Sequence, residues 1–223
     1  MDLLEAMQKR HSVRRYTDRR IDADTVRQLE TEIQQCNLEG GLHLQLCLDE
    51  PNAFASGLAH YGSFSNVKNY IAVVGKKGKS LEERCGYYGE RVVLKAAQLG
   101  LNTCWVALTY SKRKTACTIA ADEKLVCVIA LGYGETDGTA HKSKSLEQVC
   151  RTADGTMPDW FQKGVEAALL APTATNQQKF LFTLSGNQVA LKALAGFYAK
   201  LDLGIVKYHF EIGAGQTGWQ WQR

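Results

Sequence analysis

The sequence has no apolar run near the roughly 18 residues that a membrane-spanning helix needs, so no helical membrane span is expected. Its seven cysteines include no Cys-x-x-Cys pair and are odd in number, which argues against a secreted disulfide scaffold. Neither they nor the five histidines show the spacing of a metal site. The opening Met1-Asp2-Leu3-Leu4-Glu5 sets an acid ahead of any apolar stretch and so does not read as a signal peptide. No repeat of solenoid period is present, no low-complexity tract, and no Ser/His/Asp arrangement suited to nucleophilic catalysis. What is there is ordinary for a folded protein: 223 residues, 45% hydrophobic and 22% charged, enough for one large domain or two small ones. Several cysteines lie in apolar runs such as Val126-Cys127-Val128-Ile129 and read as buried thiols in a reducing cytoplasm. The net charge of +4 is too mild to specify a partner, but positive residues concentrate between Arg10 and Arg20.

The apolar pattern predicts a first helix over Leu3–Lys9 and a second that starts at the acids Asp22 and Asp24 and ends before Gly40-Gly41. Leu42, Leu44, Leu46 and Leu48 alternate with polar residues, a strand period with one buried face. A loop holding Tyr61 to Asn66 leads into an apolar strand over Tyr70–Val74. A largely buried helix follows over Leu81–Leu99, closed by Gly100 in a left-handed cap. Further strands are expected over Thr103–Leu108 and Leu125–Leu131, with a short helix between them near Lys112 to Ile119. Beyond a polar connection over Thr136–Ser145, a helix over Asp159–Leu170, a strand over Lys179–Leu184 and a helix over Leu201–Ile212 complete the reading. Helices and strands interleave, but several connections are too short for crossovers, so the fold class is α+β.

Two motifs mislead. Gly75-Lys76-Lys77-Gly78-Lys79-Ser80 ends like a phosphate-binding loop, yet Val73 stands where its first glycine belongs, and a surface turn is the better reading. Gly213-Ala214-Gly215-Gln216-Thr217-Gly218 matches a dinucleotide fingerprint letter for letter but follows a helix, with five residues left; it reads as a flexible tail.

Four segments could carry chemistry. Arg10, Ser12 and Arg14 place two guanidinium groups and a hydroxyl within five residues, which suits a phosphate dianion; a solvated basic face or a weak nucleic-acid patch would look the same. Ala171-Pro172-Thr173-Ala174-Thr175-Asn176-Gln177-Gln178 has small residues that let backbone approach a flat ring, while Asn176 and Gln178 offer paired donors and acceptors; Pro172 alone would also explain a helix-ending loop. Gly100 to Val106 is a helix end, turn and strand, with Cys104 read as structural because nothing near it in sequence lowers a thiol pKa. His141-Lys142-Ser143-Lys144 is a basic loop, by default solvated.

Taken together these segments resemble the FMN-dependent nitroreductase family. Arg10-His11-Ser12-Val13-Arg14 is similar to its phosphate-binding opening, and Ala171 to Gln178 to its A-P-S-x-x-N-x-Q motif with Thr173 in the serine place. Leu94 to Trp105 resembles its core helix and turn, Ala130-Leu131-Gly132-Tyr133 its A-L-G-Y strand end, and Lys144 to Val149 the K-P-L-E-E-V that follows. The resemblance implies a nitroreductase-like α+β fold with a central, mostly antiparallel sheet flanked by helices. It also implies that FMN carries the chemistry, passing a hydride from NADH or NADPH to a nitroaromatic, quinone or similar small acceptor. By that resemblance Arg10, His11, Ser12 and Arg14 bind the cofactor, with Lys142 or Lys144 adding charge at the phosphate. Cys104, Trp105 and Val106 would line its ring, and Pro172, Thr173, Asn176 and Gln178 approach from the other side.

One departure stands out. In ordinary members the A-P-S-x-x-N motif soon follows the Arg-Ser-Arg motif, and two subunits share each FMN across their interface. Here Gln35 to Gly41 occupies that place, and the motif arrives only after the A-L-G-Y strand. The expectation is a fused pair, residues 1–150 as a first half and 151–223 as a shortened second half, with one flavin site per chain, as in a Thermotoga-type subgroup of the family. Such a chain could work as a monomer or pair again as a dimer, with no membrane or nucleic-acid partner and a cytoplasmic location. Other outcomes on the same scaffold are a flavin reductase, a dehalogenase-like enzyme or a non-catalytic flavin-binding module. A nucleic-acid role for residues 10–20 is not expected, since only Tyr16 interleaves the charges.

Overall fold

The computed structural model describes residues 1–55 and 57–222, apart from the side chains of Leu58 and His60. Its first part holds helices α1 (Leu3–Lys9) and α2 (Ala23–Gly40), strand β1 (Gln45–Cys47), helix α3 (Gly57–Tyr61), strand β2 (Asn69–Lys76), helix α4 (Leu81–Gln98) and strands β3 (Asn102–Val106) and β4 (Glu123–Gly132). The second part holds α5 (Leu146–Val149), β5 (Cys150–Thr152), α6 (Asp159–Ala168), β6 (Phe180–Ser185), β7 (Gln188–Ala193), α7 (Ala199–Ala214) and β8 (Gln220–Trp221).

Local chemistry explains the helix limits. Asp22 caps α2 by accepting from the amides of Asp24 and Thr25, and Gly41 ends it with φ +57°. Gly100, with φ +78°, closes α4 as expected, while the Leu101 amide donates back to Ala96.

The first sheet has the order β1-β2-β4-β3 and is antiparallel throughout. Strands β2 and β4 are apolar almost without interruption because both of their faces are covered. Ile71, Val73, Ile129 and Leu131 pack under α2 and α4, while Tyr70, Ala72, Val128 and Ala130 pack under Phe54, Phe64 and Tyr110 from the loops. The second sheet, β5-β6-β7-β8, is mixed: only β6 and β7 are antiparallel. Its core is aromatic, with Phe182 stacked on Phe210 at 4.7 Å and Phe161 and Phe180 beside them.

Helices α4 and α7 join the two parts. A Cβ at Gly86 would overlap the Leu201 carbonyl oxygen, and one at Gly204 the Glu83 carbonyl oxygen, so the backbones touch through reciprocal glycines. With α2 against α4 and α6 against α7, each part sets two antiparallel strands between a pair of packed helices, with the short α3 added between β1 and β2 in the first.

Several expectations are corrected. The helix expected near Lys112 to Ile119 is a single 3₁₀ turn over Lys112–Lys114, since three adjacent basic residues bury nothing. The strand expected to reach Leu108 stops at Val106, where its pairing with β4 ends, and β1 is shorter than the alternating leucines suggest. The end of the chain is not a loose tail. Gly213 and Ala214 complete α7, and Trp219 and Trp221 fold back onto Phe210 as β8 pairs with β7.

Candidate flavin site

After α1 the backbone turns extended and runs beside β3, with Ser12 bridged to Thr103 and the Val13 amide donating to the Thr103 carbonyl at 3.0 Å. Val13 and Tyr16 are thereby buried in the core, and Arg10, Ser12 and Arg14 border a cavity of about 870 Å³. That volume lies within the roughly 300–1,000 Å³ of sites that enclose a small-molecule ligand. Cys104, Trp105 and Val106 of β3 form one wall. Pro172, Thr173, Ala174 and Asn176 form another, contributed by the loop between α6 and β6. The two stretches on which the sequence reading depends, 161 residues apart from Arg10 to Ala171, meet around this one space.

Charge at the cavity is mostly positive. Arg10 is only 6% exposed, and its Nε finds no hydrogen-bond partner among the described residues. Burial lowers the Arg10 pKa while the nearby Glu90 carboxylate opposes the shift, and a guanidinium stays protonated regardless. A buried cation whose side chain borders a cavity fits an anionic group placed there. Arg14 is exposed at the rim. The pKa of His11 is lowered by burial and by Arg10. Burial raises the Cys104 thiol pKa against the pull of Arg14, Arg10 and a hydrogen bond with Ser12, which keeps the thiol protonated.

The loop over residues 173–178 is held in a conformation that side chains rarely adopt. Thr175, Asn176 and Gln178 all have positive φ, between +46° and +53°. Its restraints come from several elements. The Thr173 hydroxyl accepts from the Gln178 amide at 3.1 Å, which gives the threonine in the serine place its role. Asp202 of α7 accepts from the Ala174 amide at 2.9 Å and from Gln177 Nε2 at 2.8 Å. Lys144 Nζ donates to the carbonyls of Gln177 and Gln178, at 2.9 and 2.8 Å.

The last contact shows that Lys144 is engaged by loop carbonyls and does not border the cavity. Nor do Lys142 and Gln178. Lys142 is exposed and contributes its backbone carbonyl, which accepts from Asn176 Nδ2 and Gln178 Nε2. Gln178 is buried and also accepts from the Lys144 amide. The other ten expected residues, from Arg10 to Asn176, all border the cavity.

Several bordering residues were not expected. His141 donates to the Leu169 carbonyl at 2.8 Å and ties the basic loop to the end of α6. Phe64, from the loop holding Tyr61 to Asn66, also borders it, as do the exposed Phe197 (78%) and Leu108 (70%). Asp202, 5% exposed, has its pKa raised to about 6 by burial, partly offset by its two hydrogen bonds. Asp202 lay inside the helix expected over Leu201–Ile212, as an acid flanked by apolar residues; no signal marked Phe197. Among the described residues no group of three or more His, Cys, Asp or Glu could hold a metal ion, and no helix is long and apolar enough to cross a membrane.

The same architecture occurs in solved structures of nitroreductases. A "putative nitroreductase" from Thermotoga maritima MSB8 is 22% identical with a TM-score of 0.70, the match covering 96% of this chain and 83% of that one. Another of that name, in complex with FMN and from Desulfovibrio desulfuricans, is 17% identical with a TM-score of 0.52, covering 71% of this chain and 99% of that one. A nitroreductase family protein from Streptococcus pneumoniae is 15% identical with a TM-score of 0.53, covering 66% and 98%. These likenesses show the nitroreductase fold. Residues 2–214 match the family described as "Putative TM nitroreductase", and the chain belongs to that family. Comparison with curated proteins gave no match.

Proposed function

We propose that this chain is an FMN-dependent oxidoreductase that uses NADH or NADPH to reduce a nitroaromatic, quinone or similar small molecule. The observation that carries this reading is a single cavity bordered both by the buried Arg10 and by the Pro172–Asn176 loop. Membership of the nitroreductase family and the FMN complex of the Desulfovibrio protein support it.

FMN, when bound, supplies reversible two-electron transfer at its ring. Arg10 and Ser12 would hold the phosphate and ribityl end, each charge-assisted bond contributing about 1.5–3 kcal/mol. Arg14 would lie toward the pyrimidine edge, where positive charge favours the reduced form. Cys104, Trp105 and Val106 would flank the ring from β3, while Pro172, Thr173 and Asn176 close the other side and exclude water. Lys144 and Gln178 act at one remove, holding the loop.

The fused-pair reading, with halves 1–150 and 151–223, belongs to the same proposal. The repeated order of helix, antiparallel strands and helix supports it, as do the reciprocal glycines between α4 and α7. So does the Desulfovibrio match, which uses 99% of that chain but leaves part of this one without a counterpart. Seven free thiols, six of them buried, support a reducing compartment such as the cytoplasm.

The test is the colour of the purified protein and the flavin released on heating. One FMN per chain, bleached by NADH or NADPH and reoxidised by a nitroaromatic or quinone, is expected. A colourless protein that takes up no FMN would overturn the cofactor. A yellow protein inert to both nucleotides would be a binding module, and two FMN per chain would refute the fused pair.

A further inference from the structure

Glu90 lies in the middle of α4 with no exposed surface, and both its carboxylate oxygens are engaged. Oε2 accepts from the Trp105 indole Nε1 at 2.9 Å, and Oε1 faces His209 Nε2 of α7, also at 2.9 Å. The second ring nitrogen of His209 lies 3.1 Å from the Ala167 carbonyl at the end of α6. A carbonyl only accepts, so His209 Nδ1 carries a proton. One further proton is then shared between His209 Nε2 and Glu90 Oε1, whether the two are written as an ion pair or as neutral partners.

This chain fixes one side chain of the cavity wall. Trp105 touches both the core of the first sheet and that of the second, and its indole lies on α4 where a Cβ at Gly89 would approach Cη2 to 2.5 Å. Gly89 makes the space and Glu90 anchors the ring nitrogen. A core that needed only volume here would hold an apolar residue; a buried carboxylate with every contact satisfied is a device for holding a geometry.

We propose that Glu90 is a positioning residue that sets the orientation of the Trp105 indole in the cavity wall, and that His209 makes this orientation depend on the second half of the chain. The inference rests on the flavin reading only for the identity of the molecule that Trp105 faces.

Two variants separate geometry from charge. In Glu90→Gln the amide oxygen can accept from Trp105 and the amide nitrogen can donate to Nε2 of neutral His209, whose Nδ1–H still donates to the Ala167 carbonyl. In Glu90→Met, Trp105 and His209 both lose their partner. The first readout is made on cofactor-free protein by NMR: the indole proton of Trp105, identified by its loss in Trp105→Phe, should exchange slowly in the wild type and in Glu90→Gln and rapidly in Glu90→Met. The second is FMN affinity by fluorescence quenching, expected to change less than about threefold in Glu90→Gln and to fall at least about tenfold in Glu90→Met. In Glu90→Met with Trp105→Phe the two losses should not add, because they break the same contact. Fully additive losses, or a Trp105 proton as protected in Glu90→Met as in the wild type, would overturn the proposal. If no variant or wild type binds FMN, the flavin reading falls while the exchange result still decides the role of Glu90. If Glu90→Met does not fold, Trp105→Phe decides: it keeps a ring but removes the donor, and unchanged FMN affinity counts against the proposal.

Discussion

Arg10 has two effects of opposite sign. It is a buried cation with no ion pair among the described residues, a state that costs the folded protein several kcal/mol in lost hydration. The same lost hydration makes it a strong partner for an incoming phosphate, because the guanidinium has little water left to shed. Arg10→Met should therefore raise the midpoint of thermal unfolding of the cofactor-free protein, by the equivalent of about 1–3 kcal/mol. It should also weaken FMN binding by about tenfold to a hundredfold. Calorimetry without cofactor and a quenching titration measure the two halves separately. A variant that loses both stability and affinity would show that Arg10 is structural. Arg14, exposed at the rim, carries no such stability effect. Arg14→Ala should lower the reduction potential of bound flavin, and an unchanged potential would count against its place at the pyrimidine edge.

The loop between α6 and β6 shows how an element can be legible in residues but not in mechanism. Pro172, Asn176 and Gln178 stood out in the sequence as a motif, yet only the structure shows three left-handed residues held by Asp202, Lys144 and the Lys142 carbonyl. Long-range bonds of this kind leave no local pattern, and so Lys144 looked like a phosphate ligand and Asp202 drew no notice as a restraint. Helices with their own caps, such as α2 and α4, were readable because a cap is local. Strand β7 was missed, since Gln188 to Ala193 alternates only weakly and pairs mainly through its neighbour β6. Asp202 also gives this loop a pH dependence. Its folded pKa, about 6, lies above the unfolded value near 3.8, so the folded state binds the extra proton between them. Its contribution to stability is thus greatest below about pH 4 and is lost as pH rises through 6, by up to about 3 kcal/mol. Asp202→Asn removes this titration. Its stability relative to wild type, from urea unfolding, should improve by that order between pH 4.5 and 7. A difference that stays flat with pH would mean that Asp202 titrates normally.

At the scale of the whole molecule, the seam between α4 and α7 decides whether the two halves behave as one. Each sheet has its own core, which in isolation suggests two folding units. Against that, Leu201 of α7 belongs to the core of the first sheet, Trp105 touches both cores, and the buried Glu90–His209 contact crosses the seam. No half can open without exposing the buried carboxylate and the cavity wall of the other, so unfolding should be a single transition. Gly204→Ala tests this directly. Its new methyl group would overlap the Glu83 carbonyl oxygen, and a helix backbone yields less readily than a side chain, so a loss at or beyond the upper end of about 1–3 kcal/mol is expected. If the halves are coupled, the midpoints reported by near-ultraviolet circular dichroism and by FMN release should fall together in this variant. Two separated transitions, with FMN released in the first while one sheet remains folded, would show that the cavity is assembled by docking of independent halves rather than by one cooperative fold.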